Sequence, residues 1–363
     1  MWAWRLGSVR GIDIKMHFTF PLVLLWAAFE WGSGPDGGLL RALFGALLIS
    51  VLFVCVVLHE LGHSLAAMRY GIRVQDITLL PIGGVAQLRA MPDAPRQELV
   101  IALAGPLVNV VIATLLFPIV SLLMRGVTRY GFWHVLTGVG LSSMVLYIFA
   151  ANISLVIFNL IPAFPMDGGR VLRALLALRL DYARATQIAV RLGQVLAIGF
   201  AILGFFQNPL LILVAVFVFI SAGAELQRVA FRDLLQGASV SQFLVANGRA
   251  LSPAWPLQAA RLVARQTGQR AFPVVEGGRL VGLVAASDLN RLSFGQVGEV
   301  MHDDFPVLAP GATLYDAQTA ITARGQSSAA VIDAGAFLGI ISLDDVERAH
   351  AWLRRQSPRL RHA

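Results

Sequence analysis

Long apolar runs constrain this chain before any motif does. Roughly 16–31, 39–68, 98–124, 135–164, 185–206 and 209–224 are nearly free of charge, and charged residues are only 14% of the chain against 57% hydrophobic. A soluble domain carries about 25% charged residues. A helix that crosses a bilayer needs about 20 apolar residues. There is too much apolar surface here for disorder, and the single cysteine, Cys55, excludes a disulfide scaffold. The expected fold is a polytopic α-helical membrane domain of about six transmembrane helices, followed by a soluble α/β module. The last two runs meet at Gln207-Asn208-Pro209, which reads as a tight helical turn. Residues 1–15 are basic, and Met16–Trp31 has no small-residue cleavage site behind it, so it reads as a retained first span.

The net charge is +8, and the arginines sit at the ends of apolar runs. Arg69, Arg73, Arg89 and Arg96 follow the second run, and Arg170, Arg173, Arg179 and Arg184 follow the fourth. Arg228 and Arg232 follow the last run, and only Arg125 and Arg129 break the pattern. The positive-inside rule then places both termini in the cytoplasm. No basic block is interleaved with aromatics, which argues against a nucleic-acid partner.

Inside the second run, residues 59–63 read His-Glu-Leu-Gly-His. On a helix His59 and His63 are one turn apart and share a face. Two imidazoles so spaced can hold one zinc ion, with Glu60 beside them as general base. Ionisable groups at bilayer depth are costly and mark function. A catalytic zinc takes a third protein ligand. Residues 159–170, Asn-Leu-Ile-Pro-Ala-Phe-Pro-Met-Asp-Gly-Gly-Arg, break a helix at Pro162 and Pro165 and then offer Asp167. Broken backbone at that depth belongs where it lines a cavity or is buried in protein. Asp167 suits the metal, the cap of the helix that follows, or both. Glu98 and Glu225, at span ends, are weaker ligand candidates, and Asp181 reads as a solvated partner of its arginines.

The pairing of an intramembrane HExxH with N-x-x-P-x-x-P-x-D-G resembles the site-2 protease family of intramembrane zinc metalloproteases, over roughly 1–225. The resemblance implies His59, His63 and Asp167 as ligands of one Zn2+ and Glu60 as general base. It implies substrates that are single-span membrane proteins, such as anti-sigma factors or membrane-tethered regulators, cut within or near the bilayer and often after a first protease has trimmed them. Asn159 and Asn109 are candidates for orienting the substrate carbonyl or an oxyanion, or for plain interhelical hydrogen bonds. Gly105 reads as a close-packing residue. Residues 73–89 are strand-like, and the family has a small membrane-associated sheet there. An unwound substrate could extend that sheet, with Gln87 a candidate backbone contact.

From about residue 237 the apolar runs shorten to strand length, and 272–289 aligns without gaps to 329–346, so that Gly282 matches Gly339 and Asp288 matches Asp345. Two copies of a strand–turn–strand–helix unit are implied. The expected division is 1–236 for the membrane domain and 237–363 for the soluble module, with halves at about 237–295 and 296–352 and a basic C-terminal tail. The repeat resembles a pair of CBS domains. That implies an adenine nucleotide held through Ser342 and Asp345, with Asp288 in the first copy, where Ala285 replaces the hydroxyl. It also allows a homodimerisation module without ligand. Against an intramembrane endopeptidase stand two other readings, a CBS-regulated membrane transporter and a proteolytically inactive substrate-binding scaffold.

Overall fold

The computed structural model describes every residue except 1–2, 35–36, 82, 89–93, 126, 129–130, 132–134, 136, 247 and 357–363. The basic tail expected after 352 therefore lies largely outside the described residues. The chain forms two compact units, Met1–Leu226 and Gln227–Ala363.

The first unit opens with strands rather than with a basic lead-in to a span. β1 (Ala3–Val9) and β2 (Ile12–His17) pair antiparallel around Arg10-Gly11, both with left-handed φ, +49° and +84°. The alternation of Ile12, Ile14 and Met16 with Asp13 and Lys15 is the strand signal. The expected first span shrinks to α1 (Phe20–Gly32), 13 residues. At 1.5 Å per residue that is about 20 Å, short of a hydrocarbon core of about 30 Å. Then come α2 (Leu39–Arg69), β3 (Val74–Leu80), β4 (Gly83–Leu88), α3 (Pro95–Leu123) and α4 (Leu141–Asn159). The short α5 (Asp167–Ala177), α6 (Tyr182–Phe206) and α7 (Leu210–Gln236) follow. Among the described residues five helices, α2, α3, α4, α6 and α7, are long and apolar enough to cross a membrane. Leu115, Phe117, Phe205, Phe206, Leu213 and Ile220 remain exposed on them, a surface suited to lipid. This is a multi-pass membrane domain.

α2 stops where its sequence turns polar and supplies a glycine. Gly71 has φ +77°, its N–H donates to Met68 O, and the Ile72 N–H donates to Ala67 O, which together satisfy the helix's last carbonyls. The chain is thereby turned into β3. The strands form one sheet in the order β1-β2-β3-β4, with β2–β3 parallel and the other pairs antiparallel. Lys15 Nζ donates to Asp76 Oδ2 at 2.6 Å across β2 and β3. Ile12 and Ile77 pack with Leu61 of α2, which seats the sheet on the helix that carries residues 59–63. β4 is an outer strand.

Close approaches fix the helices around that segment. A Cβ on Gly62 would lie 2.7 Å from Ala104 O, so α2 and α3 touch there. The loop 160–166 buries Ala163 and Phe164, as irregular backbone at this depth requires. Gly168 and Gly169 let α5 fold back on that loop, since a Cβ on Gly168 would meet Ile161 O at 2.3 Å. Arg173, one of the arginines that follow the fourth apolar run, is buried. It is 3% exposed, donates to Glu98 Oε1 through Nε at 2.9 Å and to Glu225 Oε1 at 2.6 Å, and lies over the Phe164 and Tyr182 rings. Two carboxylates on neighbouring helices draw it in.

The boundary between units falls inside α7, upstream of 236, because Phe231 and Leu235 pack with Val240, Leu314 and Ile341 of the second unit. That unit contains α8 (Leu257–Thr267), β5 (Ala271–Glu276), β6 (Arg279–Ala285), β7 (Val307–Leu308), α9 (Leu314–Ala323), β8 (Ser328–Asp333), β9 (Ala336–Ser342) and α10 (Leu343–Gln356). The β5–β6 and β8–β9 hairpins share one register, Val274 opposite Gly282 and Val331 opposite Gly339. The copies differ at their ends. The second closes with the 14-residue α10, whereas the first has only a 3-10 turn at Asp288–Asn290. Ser293-Phe294-Gly295 follows that turn, and Gly295 has φ +124°. The Arg261 guanidinium donates to the carbonyls of Leu289, Leu292 and Ser293 and holds the short end in place.

Candidate metal centre

His59 and His63 are buried on one face of α2, and Asp167 of α5 reaches both. His59 Nε2 and His63 Nε2 lie 3.0 Å apart, and Asp167 Oδ2 is 3.2 and 3.1 Å from them. A tetrahedral zinc with bonds of about 2.0–2.1 Å requires neighbouring donors about 3.3 Å apart. The observed triangle is of that size. It is also the group of three potential metal-binding side chains found among the described residues.

The outer side of each ring shows why this is a donor set. His63 Nδ1 donates to the Ile101 carbonyl at 2.7 Å, and His59 Nδ1 donates to Asn109 Oδ1 at 2.5 Å. With both protons on Nδ1, both Nε2 lone pairs face a carboxylate oxygen. Three electron-rich atoms then meet without a proton among them, an arrangement that a cation stabilises. Gly105 of α3 forms the wall behind them. A Cβ there would lie 2.2 Å from His63 Nε2 and 2.7 Å from His59 Nε2, so the residue keeps the triangle clear in addition to allowing helix contact.

Asp167 is the first residue of α5, and its helix has no side-chain cap; the carboxylate is committed to the histidines. Glu60 is half-buried on α2 and faces β4, where a Cβ on Gly84 would meet its Cγ at 2.8 Å. Glu98 and Glu225 are engaged with Arg173. Asp181 caps α6, accepting from the Ala183 N–H at 3.2 Å.

Asn109 is fully buried and sits behind His59, and its Nδ2 donates to Asn152 Oδ1 at 2.7 Å. Its carbonyl is thus committed to the histidine. Asn159 ends α4, half-buried, outside this set of hydrogen bonds. Gln87 lies in β4, and its side chain falls outside the described residues. Sequence reasoning missed Asn152. Its signal was the same as for Asn109, a lone amide in an apolar run.

In the second unit Ser342 and Asp345 are bonded to each other at the start of α10. Asp345 Oδ2 accepts from the Ser342 N–H at 2.9 Å and from its hydroxyl at 2.5 Å, and Asp345 Oδ1 accepts from Arg348. Asp288 lies 3.2 Å from His302 Nε2. A cavity of about 300 Å³ includes Ser342, Asp345, Arg249, Arg270 and Arg348 in its lining.

Comparison with known proteins agrees with this layout. The model of peptidase family M50 matches residues 47–200, and that of the CBS domain matches 249–295 and 297–351. A zinc metalloprotease of Methanocaldococcus jannaschii is 33% identical over 347 residues, which cover 95% of each chain. This chain belongs to peptidase family M50, with two CBS domains after its membrane domain. Rip3 of Mycobacterium tuberculosis is 29% identical over 373 residues, 94% of this chain and 91% of its own. The solved site-2 protease of M. jannaschii is 38% identical, spans 62% of this chain and 95% of its own, and has a TM-score of 0.43. The M50 match contains all three corners of the donor triangle together with Glu60, Gly105 and Asn109. It also contains the α4–α5 loop, so both motifs read from the sequence fall within one family match.

Proposed function

We propose that this M50 peptidase is an intramembrane zinc endopeptidase that cuts single-span membrane proteins within or near the bilayer. The observation that carries the reading is the His59–His63–Asp167 triangle, built on an apolar helix with its outer hydrogen bonds turned to donate. These three side chains would hold the ion. Bound there, zinc supplies Lewis-acid activation of water and of the scissile carbonyl.

Glu60 then takes a proton from the attacking water and returns it to the leaving amine. Its half-buried position beside Gly84 puts that base next to an outer strand. A helical peptide bond is shielded, so the substrate must be extended before attack. Pairing with β4 would hold it extended, with Gln87 in the same strand. Asn109 acts behind His59, while Asn159 remains the candidate for the substrate carbonyl. Charge placement supports cytoplasmic termini and access of water from that side. Suitable substrates are membrane-tethered regulators such as anti-sigma factors.

The second unit would bind an adenine nucleotide in the cavity of about 300 Å³, a volume at the lower end for ligand sites. Arg249, Arg270 and Arg348 suit phosphates there, and ribose hydroxyls would replace bonds now made between Ser342 and Asp345. Asp288 contributes less, being paired with His302. Homodimerisation through the CBS pair is the alternative role of this unit.

The deciding experiment is Glu60→Gln in proteoliposomes containing a single-span reporter. Cleavage should vanish while zinc content stays at the wild-type level. Cleavage at the wild-type rate, or none by the wild type on any extended single-span reporter, would favour the transporter or scaffold readings.

A further inference from the structure

Asn109 presents a carbonyl to His59, yet an amide can turn over. Turned by 180°, its NH2 would face His59 Nδ1 and its oxygen would face α4. The ring would then accept at Nδ1 and carry its proton on Nε2, inside the donor triangle. What selects the working orientation lies one helix farther out. Asn152 is fully buried in α4, and its Nδ2 donates to the Ile148 carbonyl of its own helix at 2.8 Å. That bond obliges Asn152 to present its Oδ1 outward, where it accepts from Asn109 Nδ2 at 2.7 Å. Asn109 must in turn offer its oxygen to His59 Nδ1 at 2.5 Å. Each bond in the series Ile148, Asn152, Asn109, His59 has its direction set by the one before it.

We propose that Asn152 is a positioning residue for the metal centre: it fixes the orientation of Asn109, and through it the tautomer that leaves His59 Nε2 free for zinc. The inference rests on the zinc-site reading. Buried amides with no partner are costly in an apolar bundle, so a series that starts on a main-chain carbonyl has little freedom to reverse. Outer hydrogen-bond partners of metal-binding histidines typically change affinity 10–100-fold when removed. Asn152 stands one residue farther out and acts by selecting an orientation.

The test is zinc affinity of the full-length protein in detergent, measured by chelator competition. Asn152→Leu removes the acceptor and should weaken zinc binding by about tenfold or more. Asn152→Asp, protonated in this apolar site, can still donate to Ile148 O and accept from Asn109, and should bind zinc like the wild type. Asn109→Asp in the Asn152→Leu background should restore most of the affinity: next to a zinc-bound His59, unlike at position 152, the acid is held as a carboxylate by the Nδ1–H it accepts from, and a carboxylate accepts whichever way it turns. A role in packing α4 alone would not be rescued in this way. Thermal unfolding checks the fold of each variant, and Asn152→Ala replaces the leucine variant if that does not fold. Unchanged affinity in Asn152→Leu, or weakened affinity without rescue, overturns the proposal. A wild type that takes up no zinc overturns both this proposal and the site reading beneath it.

Discussion

Adding one methyl group to Gly105 tests the metal centre from its least obvious side. In Gly105→Ala the new carbon would stand 2.2 Å from His63 Nε2 and 2.7 Å from His59 Nε2. Real Cβ atoms essentially never come closer than 3.0 Å, so His63 would have to retreat by about 0.8 Å. Zinc–ligand distances vary by only about 0.2 Å. The imidazole cannot move that far and still coordinate, and its Nδ1 bond to the Ile101 carbonyl resists the shift. Overpacking of one methyl typically costs about 1–3 kcal/mol, which a bundle of this size can absorb. The variant should therefore remain folded and lose zinc. Metal content by elemental analysis of detergent-purified protein, with thermal unfolding alongside, reads both quantities. A folded Gly105→Ala protein with stoichiometric zinc would refute the place given to Gly105 behind the donor triangle.

Other outcomes follow from the same contacts. Gly84→Ala crowds Glu60 Cγ rather than a ligand, so it should keep zinc and lower kcat, measured on one reporter with both readouts. Arg173→Met leaves the buried Glu98 without its cation; such losses run to about 3–5 kcal/mol, seen as a marked fall in Tm with zinc still bound. Glu98→Gln should likewise retain zinc by elemental analysis, since that carboxylate serves Arg173. Ser342→Ala should abolish AMP binding by calorimetry if the cavity beside α10 is the nucleotide site, and unchanged binding would move the site elsewhere.

The histidine pair and Asp167 were legible because their chemistry is local: one helical turn separates the histidines, and two prolines and two glycines mark the loop that carries Asp167. Five of the six expected spans were legible from hydropathy alone, whereas the first became the 13-residue α1. The N-terminal hairpin was not, because the basic residues of 1–15 masked the alternation of Ile12, Ile14 and Met16 and the turn at Arg10-Gly11. The part played by Arg173 was hidden for a related reason. Counting arginines at a span end cannot reveal that Glu98 and Glu225 of two other helices converge on one of them. Asn152 escaped since its meaning depends on Asn109 and His59, distant in sequence and adjacent only after folding. The repeat predicted two hairpins correctly but not the shortened end of the first, where a 3-10 turn over Asp288–Asn290 stands in place of the helix.

Zinc stoichiometry of the wild type, His63→Ala and Asp167→Ala, purified side by side, tests the central claim most directly. About one zinc per chain in the wild type and little in either variant is the predicted result. Full zinc content in Asp167→Ala would contradict the three-donor centre, and a wild type that binds none after reconstitution would contradict the metalloprotease account itself.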